Sequence, residues 1–249
     1  LETQAVSGNT STTGLCPDII TSLIPVDDDE MWFGGDHTIY HLTGNPQGGG
    51  RMDLVTDTVG VAWGRPFCKD GSGTLYFIST LGGLYHSQGG AKPQLLSDAV
   101  APLLAGIKLG AQIVRLAWHE QAQRVHVWLT SIAKASADVH YIYSLRNDAW
   151  FQVKYAENNH NPVAVHVFDG DDPSDRAVLL GGWDGYVRKL DDAALDDDGT
   201  AIESIVLIGP LKERGGRGQI LADLQCSLAS DSGDCKWEVL AGEDAQAAF

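Results

Sequence analysis

Eight histidines and 33 acidic residues are the groups in this chain with the types to do acid–base or metal chemistry. His37 and His41 stand four residues apart in one predicted β-hairpin, and that spacing puts both on one strand face. Two ligands on a strand face begin a metal site. A third must then come from elsewhere, and no HExxH-like cluster supplies it. The others, His86, His119, His126, His140, His160 and His166, are scattered, so no metal ligands are assigned.

The carboxylates fall in three runs, Asp27 to Glu30, Asp169 to Asp175 and Asp191 to Asp198. Glycoside hydrolysis needs a carboxylate pair, and several glycosidases are propellers. Asp runs at turns read more simply as solvated residues, because Asp accepts local backbone hydrogen bonds and tolerates unusual dihedrals. The stretch DDAALDDDG (Asp191 to Gly199) lacks the ligand spacing and closing glutamate of an EF-hand loop. SDSGDCKW (Ser230 to Trp237) approaches the S-x-D-x-G-x-T-W box of sialidase-like propellers through Asp231 and Gly233. Ala229 replaces the serine, Cys235 the threonine, and Trp237 comes one place late, so it reads as a hairpin turn. There is no nucleophile elbow, P-loop or dinucleotide fingerprint. The glycine pairs Gly34-Gly35, Gly82-Gly83 and Gly181-Gly182 sit at strand turns, for positive φ or close approach. Trp32, Trp63, Trp118, Trp150 and Trp183 could form a sugar-stacking face, but strand cores use the same residues, and core is the simpler reading. The expectation is therefore a protein that is not an enzyme, with no catalytic residues, no cofactor-binding residues, no metal and no cofactor.

Those side chains have to be positioned by strands. A hairpin-like phrase recurs four times: MWFGGDHTIYHL (Met31 to Leu42), LYFISTLGGLYHS (Leu75 to Ser87), VHVWLTSIAKASADVHYIYSL (Val125 to Leu145) and AVLLGGWDGYVRKL (Ala177 to Leu190). Aligning Tyr40, Tyr85, Tyr143 and Val187 gives spacings of 45, 58 and 44 residues, the wide one explained by a longer loop around Ser131 to Asp138. A period of about 40 to 50 residues with several strands per unit is a β-propeller signature. Period-two alternation in IVRLAWHE, RVHVWLT, AWFQVKY and PVAVHVF requires strands with two unlike faces. GVAWGRPFC reads as another strand. In LSDAVAPLLAGI (Leu96 to Ile107) apolar residues at helical spacing, with Ser97 or Asp98 as cap, predict one short inter-blade helix. The fold class is all-β, a propeller with four or more four-stranded blades. Residues 1–15 read as linker or loop, 16–206 as blades, and 207–249 as closing strands or the start of a second β-domain. Leu1 and Phe249 suggest a fragment of a longer protein.

Composition narrows the partners. A chain of 249 residues buries roughly 70–75 % of its unfolded surface. Its formal charge of −16 repels phosphates and anionic lipid, which disfavours sequence-reading of nucleic acid and leaves at most a wall along which DNA slides. Cys16, Cys68, Cys226 and Cys235 show no zinc spacing and no dense disulfide framework, which fits a reducing place of synthesis, with a Cys226–Cys235 bridge as the open alternative. No apolar stretch reaches the ~20 residues needed to span a bilayer.

Three phrases carry a resemblance: EMWFGGDHTIYHLTGNPQ, YSLRNDAWFQVKY, and VLLGGWDGYVRKLDD followed by GTAIESIVLIGPLK. Across about residues 16 to 212 the chain resembles β-propeller virion proteins of tailed bacteriophages, of the tail nozzle, hub and DNA-stabilising adaptor type. That resemblance implies a virion structural protein in the tail, synthesised in the host cytoplasm. Copies would form an oligomeric ring, five- or six-fold, beside neighbouring phage tail proteins. The ring would extend or close the DNA channel and let DNA pass during ejection, without inserting in a membrane. The alternative is a carbohydrate-binding or glycoside-hydrolysing propeller.

Overall fold

The computed structural model describes residues 17–202, apart from positions 46, 47, 105, 106, 135, 173, 174 and 195, together with Ile205, Lys236 and Glu238. The chain divides into two compact units between Ala201 and Ile202. The boundary at 207 and the SDSGDCKW segment, Lys236 aside, lie outside the described residues.

In the first unit, strands follow one another as antiparallel meanders. β1 (Ile20–Asp27), β2 (Glu30–Gly35), β3 (Ile39–Thr43) and β4 (Arg51–Thr56) pair in chain order as the first sheet. β5 (Phe67–Lys69), β6 (Leu75–Ile78), β7 (Leu84–Ser87) and β8 (Gln94–Leu95) make the second. β9 (Gln112–His119), β10 (Arg124–Ser131), β11 (His140–Ser144) and β12 (Ala149–Val153) make the third. The fourth has three strands, β13 (Pro162–Phe168), β14 (Ala177–Gly182) and β15 (Val187–Lys189), and is followed by a small hairpin of β16 (Asp196–Asp197) and β17 (Thr200–Ala201). The fold is all-β, with several four-stranded antiparallel sheets and almost no helix.

Register explains how the sheets stack. A cross-strand row runs Leu23–Phe33–Tyr40–Leu54 in the first sheet, Phe67–Phe77–Tyr85–Leu95 in the second and Trp118–Val125–Tyr143–Trp150 in the third. We call the face bearing this row the front. The front of the second sheet, through Phe77 and Leu75, packs on Ile24 and Trp32 from the back of the first. The front of the third, through Trp118, Val125 and Tyr143, packs on Cys68, Tyr76 and Ile78 from the back of the second. Val178 and Leu180 of the fourth pack on Ala117 and Trp128 from the back of the third. Each fully buried Val, Leu, Ile or Phe among them contributes roughly 1.5–3 kcal/mol. The first strands β5, β9 and β13 lie beside one another.

Close approach at the first joint depends on glycine. A Cβ on Gly34 would stand 2.6 Å from the Val61 side chain. Val61 donates its N–H to Gly35 (2.9 Å) and Ala62 donates to Ile78 (3.0 Å), so the segment 59–64 ties the first sheet to the second.

Several expectations are amended. The fourth unit's row is Val165–Leu180–Arg188, so Arg188 rather than Val187 occupies the place of the tyrosines; a shift of one residue turns a side chain to the opposite face. β10 does not have two unlike faces: His126, Trp128 and Thr130 are as buried as Val125, Val127 and Leu129, because the third sheet is covered on both sides. GVAWGRPFC forms a strand only from Phe67, and AWFQVKY stops at Val153, after which Tyr155 turns in to accept from Trp128 Nε1 (2.9 Å). The inter-blade helix is a 3-10 turn (Asp98–Val100) followed by a single α-turn, α1 (Ala101–Leu104). Ser97 does not cap it; its buried hydroxyl accepts the Leu84 N–H (3.0 Å), binding this connection to the second sheet.

Candidate functional site

Among the described residues, the largest group of paired ionisable side chains forms where the loop after β12, the β14–β15 turn and the β16–β17 hairpin meet. A 3-10 turn at Asn158–His160 brings His160, 10 % exposed, against three carboxylates. Its Nδ1 lies 3.5 Å from Asp197, and its Nε2 lies 3.9 Å from Asp184 and 4.0 Å from Asp198. Arg188 Nη2 donates to Asp184 (2.6 Å) and Asp198 (2.9 Å). Asp197 also accepts the Ala156 N–H (2.7 Å). Position in the chain hides this group, since its members come from three separate segments that become neighbours only when those segments pack together.

The cluster fastens three chain segments together. A glycosidase acid needs its pKa raised towards neutrality. Here the hydrogen bond from Arg188, helped by the Tyr186 N–H, holds Asp184 down at about 2. Arg188 is itself pushed up by the same two carboxylates. The effect is to pin the β16–β17 hairpin to the fourth sheet.

The sequence-predicted histidine pair does not converge. His37 lies in the β2–β3 turn beside Asp36 (3.3 Å), whereas His41 lies on β3 beside Glu30 (3.3 Å) and edge-on to Trp32. Among the described residues no group of three or more His, Cys, Asp or Glu is placed to hold a metal ion. The acidic runs remain at turns: Asp27 accepts from Asp28 N–H, Asp169 pairs with Arg176 (2.8 Å), and Asp192 pairs with Arg124 (3.3 Å). Of the five tryptophans considered for a stacking face, Trp32 and Trp118 are core residues, and Trp63 stands 63 % exposed.

A groove of about 510 Å³ opens where the second sheet meets the third, lined by Tyr76, His86, Lys92, Gln94, Tyr143 and Leu145 among others. Tyr76 gives its hydroxyl to Asp70 (3.3 Å) and Tyr143 to Asp148 (2.8 Å), and burial raises both phenols, Tyr143 to about 12. No carboxylate lines the groove, so it offers no acid–base pair for glycosidic cleavage. Among the described residues no helix is long and apolar enough to cross a membrane.

No family model matches the chain, and no curated protein matches it. Among solved structures it is similar to PorZ, an essential bacterial surface component of the type-IX secretion system of Porphyromonas gingivalis, at 12% identity and a TM-score of 0.45. That match covers 76% of this chain and 23% of PorZ. It is also similar to a triple arginine-to-alanine mutant of AofleA from Arthrobotrys oligospora, at 12% identity and a TM-score of 0.44, covering 71% of this chain and 56% of that one. The chain thus spans about a quarter of the one and just over half of the other, at a likeness too distant to carry a functional argument.

Proposed function

We propose that the four sheets are consecutive blades of a β-propeller and that the chain is a non-catalytic structural component of a tailed-phage virion, assembled as a ring in the tail around the DNA channel. The observation that carries the blade reading is the repeated front row, which stacks each sheet on the back of the one before, with the first strands of the second, third and fourth sheets in a row. In a propeller those first strands surround the channel. Every turn from a first to a second strand carries acid: Asp28 to Glu30, Asp70, Glu120, and Asp169 to Asp175. In the blade reading they form one acidic rim, and like charge keeps DNA from adhering as it passes. The virion itself is the reading supported by the resemblance of the three phrases.

The alternative, a carbohydrate-binding propeller, is favoured by the groove beside Tyr76, His86 and Lys92. A glycan array combined with a reducing-sugar assay separates the two. The structural reading predicts neither retention nor turnover; turnover of any glycan contradicts it.

A further inference from the structure

Among the described residues of the first unit, the stack leaves two faces without a neighbouring sheet. The front of the first sheet is apolar throughout its two central rows, Leu23–Phe33–Tyr40–Leu54 and Pro25–Met31–Leu42–Met52. Leu23 stands 54% exposed and Phe33 is half-buried, whereas Trp118 and Phe77, at the same places in covered sheets, are 8% and 0% exposed; at the outer strand Leu54, 52% exposed, resembles Leu95 of the covered second sheet at 43%. At the other end, the back of the fourth sheet presents Ala164, Phe168, Leu179 and Val187, with His166 and Lys189 as its polar members. Phe168 is 46% and Val187 71% exposed. Contiguous apolar surface of this kind marks an interaction site.

We infer that the front of the first sheet in one copy docks on the back of the fourth sheet in a second copy of this chain. Each of the three joints inside the stack is a front on a back. The two free faces are one front and one back, so joining them continues an interface that the chain already makes three times. A front-to-back contact between copies is heterologous, and it generates a ring when the rotation closes. The inference rests on the blade reading and not on the virion reading. A face of four strands about 19 Å wide at ~4.8 Å per strand, and roughly 20 Å long at ~3.3 Å per residue, covers on the order of 400 Å², about half the ~800 Å² per partner of a standard stable interface. A single joint is therefore weak, and assembly depends on concentration. The joint also brings the acidic turn at Asp27 to Glu30 near the acidic loop at Asp169 to Asp175, so salt that screens this repulsion strengthens it.

The test is sedimentation velocity on the full chain across the micromolar range, at low and high salt, with two variants. Leu23→Arg with Leu54→Arg blocks the front, and Phe168→Asp with Val187→Asp blocks the back; each is checked for native circular dichroism and melting. The expected result is assembly by the unaltered chain, weakening by about tenfold or more in Kd for each variant alone, and pairing when the two are mixed. The mixture retains one intact front and one intact back, so it stops at a heterodimer. A monomeric unaltered chain overturns the inference, as does a back-blocked variant that self-associates with an unchanged Kd, because fronts would then be meeting fronts. Assembly in a protein absent from virions would contradict the proposed function and leave the joint standing; a monomer found in virions would do the reverse.

Discussion

Tyr76 and Trp118 lie face to face across the joint between the second and third sheets, ring centroids 5.8 Å apart and planes within 4°. One comes from the back of β6 and the other from the front of β9. This contact shows what holds successive sheets together: large aromatic area fixed by register at each joint. Trp118→Ala should cost about 3–5 kcal/mol in unfolding free energy. A double-mutant cycle with Tyr76→Ala should return a coupling of roughly 0.5–1.5 kcal/mol, read from urea midpoints.

Histidines buried in the third sheet make stability depend on pH. His126 is 3% exposed, stacks on Trp128, and is held down at about 3, first by burial and then by His119 and Arg124. Burial also lowers His140, against the opposing hydrogen bond to Asn161. His140 accepts the Leu129 N–H at Nδ1 (3.1 Å) and meets Asn161 Oδ1 at Nε2 (2.9 Å), the pattern of a neutral ring. Both bind fewer protons folded than unfolded below the unfolded pKa of about 6.5, so stability falls as pH drops through that value. For His126 the loss should approach ~1.4 kcal/mol per pH unit below that value, and His140 adds in the same direction. His126→Phe should flatten the slope between pH 7 and pH 5; an unchanged slope would sink the assignment.

Backbone proximity separates two glycines. A Cβ on Gly60 would stand 2.0 Å from the Asp36 carbonyl oxygen and 2.6 Å from that of Gly35, with nothing flexible to move aside. A Cβ on Gly110 meets nothing within 4 Å, and its φ is not left-handed. Gly60→Ala should therefore destabilise by several kcal/mol or prevent folding, whereas Gly110→Ala should be neutral or stabilise by about 0.4–1 kcal/mol. Thermal melts of the two variants check this.

Arg188 fastens the β16–β17 hairpin through Asp198 while holding Asp184. Arg188→Met should speed hydrogen exchange and proteolysis around Asp196 to Ala201 and leave the first three sheets protected. Uniform loss of protection would show instead that the fourth sheet unfolds with the rest.

The hairpin phrases were legible because strand period and turn residues act locally. Tyr40, Tyr85 and Tyr143 do share one row across their sheets. Val187 failed because β15 pairs with β14 in the register Leu180–Arg188, which puts Arg188 in that row and Val187 on the opposite face. Ser97 looked like a helix cap, but a buried hydroxyl takes the donor it is given, and that was Leu84. The His160 cluster was illegible for a different reason: Asp184, Arg188 and Asp197 reach it only after three separate chain segments are packed together. Likewise, alternation along β10 could not reveal that sheets would cover it on both sides.

The most direct measurement is quantitative mass spectrometry of purified phage particles, separated into heads and tails, with the copy number of this chain determined. The account predicts recovery in the tail fraction at a multiple of five or six. Absence from the particles would contradict it and leave the carbohydrate-binding reading in its place.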